Sequence, residues 1–252
     1  MAMALEALKH KSGEAERTVN PLGIGRFLTE DQFAKLRGLM HTKRADKGSF
    51  LFWEGEPAGK LYYLHSGKVK LRKSTEDGKT FILSIVQAGD FICEPGDGTG
   101  AAHSFSAEVI EPAELGVIEW RDLEILLYRH GDFAVRFMNW MALMQRLTAS
   151  KFRDLLLFGK PGALASTLIR LANTYGDACP DGIRIALKLT HAELADFIGT
   201  TRESVNRMLN GLKDEGVIDV RGGRIVILRP DALRSICHCP TCPGCPKEVC
   251  RI

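Results

Sequence analysis

The sequence predicts an α+β fold: an N-terminal β-roll, a long helix, and a C-terminal helix-turn-helix closed by a small hairpin. Three observations carry this prediction. Between residues 45 and 120, short apolar runs alternate with turn residues, as half-buried strands do. From 132 to 159, apolar residues recur every three or four positions with no turn signal. From Leu189 onward, "LTHAELADFIGTTRESVNRMLNGLKDEGVIDVRGGRIVIL" reads as two capped helices around a tight "GTT" turn, then a hairpin.

The elements follow in order. Residues 1–27 are polar and aperiodic, and are expected to form a flexible arm. "LTEDQFAKLRGLM" (28–40) is a short helix, with Thr29 as its cap, Gln32 completing a capping box, and Phe33, Leu36 and Leu39–Met40 on one face. The runs "SFLFWEGE", "KLYYLHSG", "KVKLRKS", "TFILSIVQAGD" and "SAEVIEPAELGVIEW" are strands, punctuated by Gly48, Gly55, Gly59, Gly67, Gly78 and Gly89. "EDG" (76–78) marks a hairpin. Together, residues 28–130 make a β-roll of jelly-roll size. "RDLEILLYRH" is a short helix stopped by Gly131, and residues 131–160 form the long helix, ended by Gly159 and Pro161. Its Phe133, Phe137, Trp140, Met144 and Leu147 form a seam suited to a second helix. At 1.5 Å per residue such a helix runs about 40 Å, longer than the roll needs, so it is expected to make a homodimer. "GALASTLIRLANTYG" restarts helix, and residues 161–235 form the winged helix-turn-helix. Thr190 and Glu193 box the first reading-unit helix; Thr200 or Thr201 caps the second. Residues 236–252 are a cysteine-rich tail.

Composition narrows the function. With 45% apolar and 26% charged residues the chain has an ordinary globular balance, and a net charge of +3 is too mild to argue for nucleic acid by itself. No run of eighteen apolar residues spans a membrane, and the start lacks a secretory pattern, so a cytoplasmic location is expected. Disulfides rarely persist there, so clustered cysteines point to metal or redox chemistry. No nucleotide-binding glycine motif or Ser/His/Asp set argues for an enzyme.

The second helix of a helix-turn-helix enters the major groove and reads bases with its first turns. Here it opens "TTRESVNR", placing Arg202, Glu203, Asn206 and Arg207 on that leading part. Arginine bonds guanine O6 and N7 bidentately; glutamate accepts from cytosine N4. Ser204 and Thr200 or Thr201 can hold phosphates. The two helices are net acidic, which fits solvated charges. Against that, both arginines stand at the leading end, and Arg221, Arg224 and Arg229 of the wing add cations for backbone contacts.

β-roll, long helix and winged helix-turn-helix with "TRESVNR" resemble the catabolite-activator/Fnr family of bacterial transcription regulators. The resemblance spans residues 28–235. It implies a cyclic-nucleotide-binding-like roll, a dimer on paired half-sites, double-stranded DNA and RNA polymerase as partners, and no enzymatic activity. Arg202, Glu203 and Arg207 match the family's Arg-Glu-x-x-x-Arg pattern, which goes with TGTGA-type half-sites. Cyclic-nucleotide members anchor the phosphate on an Arg of the roll; here Phe105 stands about where it should be. No Lys or Arg occurs between Thr80 and Trp120, whereas Asp90, Glu94, Asp97, Glu108, Glu111, Glu114 and Glu119 do. No cyclic nucleotide is therefore expected, because a phosphate buried without a cation is costly. His65 and His103 are the weaker candidates for haem ligands.

Five of the seven cysteines lie in the tail: Cys237, Cys239, Cys242, Cys245 and Cys250. Cys242, Cys245 and Cys250 have the Cys-x2-Cys-x4-Cys spacing of the Bacillus-type Fnr subfamily. That resemblance implies a [4Fe–4S] cluster completed by an aspartate near the end of the dimer helix, which Asp154 matches, with Asp177 and Asp181 also upstream. Soft thiolates suit iron–sulfur clusters, and a carboxylate fourth ligand would be more labile. Cys239, Cys242 and Cys245 also spell Cys-x2-Cys-x2-Cys, so an all-thiolate cluster with Cys239 stays open, as does structural zinc in a small-ligand-sensing regulator. Cys237 is expected to pack or stay free, Cys93 to be a core thiol, and Cys179 to sit in a loop without a partner. The functional expectation is an oxygen-responsive regulator of anaerobic or nitrate respiration. The rival from another class is a redox enzyme with an iron–sulfur tail.

Overall fold

The computed structural model describes residues 23–94, 101–239 and 249–252. A single turn of helix at Ile24–Arg26 opens it. Ile24 is fully buried, so this last part of the expected arm is packed into the core. Helix α1 (Glu30–Arg37) starts as its sequence demands: Thr29 Oγ1 accepts from the Gln32 amide, and the Thr29 amide donates back to Gln32 Oε1.

The roll is one antiparallel sheet of β1 (His41–Ala45), β2 (Phe50–Phe52), β3 (Lys60–Ser74), β4 (Thr80–Gln87), β5 (Phe91–Ile92) and β6 (Ser106–Glu119). The order is β1-β6-β3-β4, with β2 on β6 and β5 on β3. Strand β1, "HTKRA", was not anticipated; it is largely exposed and has no apolar alternation to betray it. The two strands expected at 60–74 are one long β3 running through Gly67. Gly67 has φ +89°, and a Cβ there would lie 2.3 Å from the Pro112 carbonyl oxygen, so only glycine lets β6 approach where the register shifts. Leu64, Val69, Val109 and Leu115 fill the interior with no exposed surface, each stabilising by about 1.5–3 kcal/mol.

Four of the roll's acidic residues have cations from neighbouring strands. Lys70 and Arg72 pair with Glu108, Lys68 with Glu111, Arg44 with Glu114, and Lys60 with Glu119. They lie on the sheet as cross-strand pairs. Asp97 lies outside the described residues.

Helix α2 (Trp120–Arg129) leads into α3 (Gly131–Leu157) and α4 (Gly159–Tyr175). Phe158 separates the last two, Gly159 opens α4 at φ +60°, and Pro161 sits in its first turn. The seam expected to pair with a second copy is internal. Phe133, Phe137 and Trp140 are buried with Leu61, Phe91, Ile118 and Leu123, and Met144 packs against the same cluster. Leu147 is buried with Leu143. A different stripe of α3 is open: Val135, Met138, Phe152 and Leu156 are exposed, with Ala142, Gln145 and Ala149 exposed between them. The spacing 135, 138, 142, 145, 149, 152, 156 is a heptad a/d seam.

The C-terminal unit contains β7 (Gly176–Cys179), β8 (Gly182–Ile185), α5 (His191–Ile198), α6 (Arg202–Asp214), β9 (Ile218–Arg221), β10 (Arg224–Ile227) and α7 (Pro230–Ile236). Its four-stranded sheet runs β7-β8-β10-β9. The β7–β8 hairpin and α7 were not anticipated, and Cys179 is a strand residue whose thiol donates to Asp181 Oδ1 at 3.6 Å, not a loop residue without a partner. Strand β4 joins roll to reading unit: Ile82 and Ile85 share a core with Leu164, Leu168, Phe197 and Ile198. Lys70 reaches Glu193 of α5 at 3.8 Å.

Candidate functional site

Two places bring functional side chains together. The first is the leading end of α6. Thr201 caps it, accepting from the Ser204 amide at 3.3 Å. Val205 and Leu209 are buried, which turns Arg202, Glu203, Asn206 and Arg207 outward. Gly199, at φ +59°, ends α5 in the left-handed conformation, and Lys160 Nζ donates to the Ile198 and Gly199 carbonyl oxygens at 2.9 and 2.8 Å. Among the described residues, the side chains of Asn206 and Arg207 make no hydrogen bond or ion pair. Glu203 is held below the usual carboxylate range by its own backbone N–H and by Thr201, so it faces outward ionised.

The wing is the expected hairpin, and its arginines have partners within the chain. Gly222 and Gly223 adopt positive φ at its tip. Arg221 is clamped by Asp181 at 2.5 Å and by Asp219 at 2.8 Å. Arg224 Nε donates to the Ala186 carbonyl oxygen, and Arg229 to those of Glu215 and Gly216. These three exposed guanidiniums have bonds within the chain, which a phosphate contact would have to share or replace.

The second place surrounds Asp154, which is 5% exposed near the C-terminal end of α3. Arg153 donates to Oδ1 from Nε at 2.9 Å and Nη2 at 2.6 Å. Oδ2 accepts from Ser166 Oγ and, at 2.6 Å, from Arg170 Nη2, both on α4. Burial alone would raise the carboxyl; the bonds from Arg170, Ser166 and Arg153 outweigh it and hold Asp154 below its ordinary range. Arg170 and Asp154 form a buried pair, and removing one partner would strand a charge at about 3–5 kcal/mol.

The tail returns to this place. Arg170 Nη1 donates to the Val249 carbonyl oxygen at 2.9 Å, Asn173 Nδ2 to that of Cys250 at 2.7 Å, and the Ile252 amide to Thr174 Oγ1 at 3.1 Å. A small cavity results, lined by Arg153, Asp154, Ser166, Ile169, Arg170, Cys237, Cys239 and Cys250. Of the sequence-predicted ligands, Asp154, Cys250 and Cys239 thus share one cavity; Cys242 and Cys245 lie outside the described residues. Cys237, expected to pack or stay free, is buried and lines the cavity too. Burial, then Cys239 and Asp154, push its thiol up to about 11. Among the described residues, no three Cys, His, Asp or Glu side chains stand close enough together to hold a metal ion. Asp177 is on β7, paired with Arg184, and Asp181 is paired with Arg221; neither lines the cavity.

A third feature lies between β4, β5, α3 and α4: an apolar cavity of about 440 Å³, lined in part by Phe105, Phe91, Cys93, Trp140 and Met144. Cys93 is a largely core thiol, pushed up to about 12 by burial and then Glu94. His103 is buried, stacked on Phe52 at 3.6 Å, and bonded to Glu94. Its ring is occupied as a packing residue. Arg170, Ser166 and the carbonyl oxygens of the tail are functional neighbours that the sequence did not flag; Arg170 lies in the apolar run "LIRLAN" and carries no motif.

A winged helix-turn-helix with unpaired polar side chains on its leading turn defines a DNA-binding unit, and its union with a β-roll defines a transcription regulator. A Crp-like helix-turn-helix domain model matches residues 162–236, and a cyclic nucleotide-binding domain model matches residues 42–130. The chain is 41% identical over 228 residues to the anaerobic regulatory protein of Bacillus subtilis, covering 90% of this chain and 94% of that one. It is 33% identical over 190 residues to the cAMP-activated global transcriptional regulator CRP of Salmonella typhimurium, covering 74% and 89%. The solved c-di-GMP responsive regulator CLP of Xanthomonas campestris superposes with a TM-score of 0.68 at 25% identity, over 79% of this chain and 99% of that one. The chain therefore belongs to the Crp/Fnr family of DNA-binding transcription regulators, and is not an enzyme. Among the described residues no helix is long and apolar enough to cross a membrane.

Proposed function

We propose that this regulator responds to oxygen through a [4Fe–4S] cluster held by Cys242, Cys245, Cys250 and Asp154, and controls genes of anaerobic or nitrate respiration. The observation that carries the reading is the shared cavity of Asp154 and Cys250, formed where a docked tail meets α3. The donor set suits the group: soft sulfur with one carboxylate. The name of the B. subtilis relative supports the anaerobic context. When bound, the cluster would supply oxygen-labile iron–sulfur chemistry. The chain's own part is mechanical: the tail, α4 and α3 are tied at one point, so the tail's attachment bears on how the reading unit sits on the long helix.

Asp154 has one oxygen fit for ligation. Oδ2 faces buried Arg170 and Ser166, whereas Oδ1 faces Arg153, whose side chain is 40% exposed and can swing into water. A second reading replaces Asp154 by Cys239, which lines the same cavity. In either case two copies would pair along the exposed heptad stripe of α3, setting two α6 helices on TGTGA-type half-sites about one turn apart, with RNA polymerase as the further partner. The reading expects no cyclic nucleotide in the roll, since Phe105 stands about where the family's phosphate-binding arginine would be.

Anaerobic purification tests the reading. It expects iron and sulfide in equal amounts, and binding to a palindromic TGTGA-type site that weakens on exposure to air. Zinc without sulfide, or full binding by iron-free protein, would overturn it.

A further inference from the structure

Arg170 is 3% exposed, yet every nitrogen of its guanidinium is used. Nη2 meets Asp154 Oδ2 at 2.6 Å and Ser150 Oγ at 2.9 Å, both on α3. Nε meets Ser166 Oγ at 3.2 Å on α4 itself. Nη1 meets the Val249 carbonyl oxygen at 2.9 Å and that of Arg251 at 3.5 Å. One planar cation thus joins three pieces of chain. Asn173 and Thr174, three and four residues on, continue the row and grip Cys250 and Ile252. The tail's polar attachment is mostly through backbone carbonyl oxygens, while the Ile252 side chain is buried in the neighbouring core and Val249 and Cys250 pack against apolar clusters. Lysine could not do this: its ammonium is a single point on a flexible stem, whereas the guanidinium fork points donors in fixed, divergent directions.

We propose that Arg170 is the positioning residue of the Asp154–Cys250 site, its guanidinium docking the C-terminal tail on α3 and α4 so that Cys250 stands beside Asp154 before any metal is bound. The purpose given to the site rests on the cluster reading above; the docking itself does not. It follows that half of the site is assembled by ordinary hydrogen bonds, and that only the approach of the remaining ligands is left to cluster assembly. Arg170 also holds the oxygen of Asp154 that Arg153 does not, which leaves Oδ1 as the exchangeable one.

The test uses reduced, metal-free, full-length protein and iodoacetamide, with labelling at each cysteine followed by mass spectrometry. Arg170→Lys keeps the charge and should speed labelling of Cys250 about fivefold or more, the ratio that one lost hydrogen bond gives in local opening. Cys93, partly buried in the roll, serves as the internal control, and its rate should be the same in wild type and variant. Asn173→Ala removes one tail bond without touching the buried charge, and should speed Cys250 in the same direction. If Arg170→Lys loosens the whole fold, Cys93 speeds up too and the Asn173→Ala rate decides. An unchanged Cys250 rate in Asn173→Ala and in a folded Arg170→Lys would overturn the proposal. Iron and sulfide uptake is measured in parallel. A wild type that takes up neither, with Cys250 still released by Arg170→Lys, would sink the cluster reading and leave the docking role standing.

Discussion

The leading turn of α6 and the surroundings of Asp154 hold similar residues in opposite states. On α6, Arg207 and Asn206 point outward with no partner among the described residues. At Asp154, both carboxylate oxygens are filled, by Arg153 on one side and by Arg170 and Ser166 on the other. A reading surface has to offer donors that another molecule will complete, so unpaired polar groups in water cost it little. A buried site cannot leave a charge uncompensated, so its groups pair with one another until a ligand displaces a partner. The same residue type is therefore a contact in one place and a strut or a latch in the other.

The largest expected effect comes from outside both regions. Met138→Glu with Phe152→Glu sets like charges face to face along the exposed stripe of α3, and should convert a dimer to a monomer by analytical ultracentrifugation. Affinity for a full palindrome should then fall by about a hundredfold or more, since the two half-sites no longer act together. A dimer that survives would return the pairing to some other surface. Next, Arg207→Ala or Arg202→Ala should cost about 1–3 kcal/mol and relax preference at one base pair in a binding-site selection. A uniform loss across all sequences would mark the residue as a phosphate contact.

Smaller effects sharpen the contrast between latch and contact. Arg153→Gln removes the exposed competitor for Oδ1, so iron and sulfide should be retained about two- to fivefold longer in air, the scale of one exposed ion pair. Faster loss would mean that Arg153 supports the cluster. Arg221→Ala should change DNA affinity least, by about 0.5 kcal/mol or less, because Asp181 and Asp219 already occupy its guanidinium. A loss as large as that of Arg207→Ala would show that the wing arginine leaves its carboxylates to meet phosphate.

Local chemistry was readable in the sequence, and partner choice was not. Thr29–Gln32 and Thr190–Glu193 announced their helices because capping boxes use residues three apart, and both are present. The glycines at 222 and 223 announced the wing for the same kind of reason. Helix α3 shows the limit. Its stripe of Phe133, Phe137 and Trp140 has the right period for a seam, but a period identifies a face and not what covers it; the roll does. The open stripe was hidden by Ala142, Gln145 and Ala149, which dilute its apolarity. Strand β1 has no apolar alternation, and β7–β8 pairs short, mostly polar segments whose burial comes from α4. At the candidate site, Asp154 and Cys250 came from resemblance, and the structure shows of them that they line one cavity. Arg170 had no signal, because its role depends on residues about eighty positions away.

The central claim is that Asp154, and not Cys239, completes the ligand set with the tail thiols. Asp154→Ala and Cys239→Ala proteins, reconstituted anaerobically beside wild type, decide it by iron and sulfide content and visible absorption. The account predicts about four irons and four sulfides per subunit in wild type and in Cys239→Ala, and a lost or much shorter-lived cluster in Asp154→Ala. A stable cluster in Asp154→Ala with none in Cys239→Ala would contradict it.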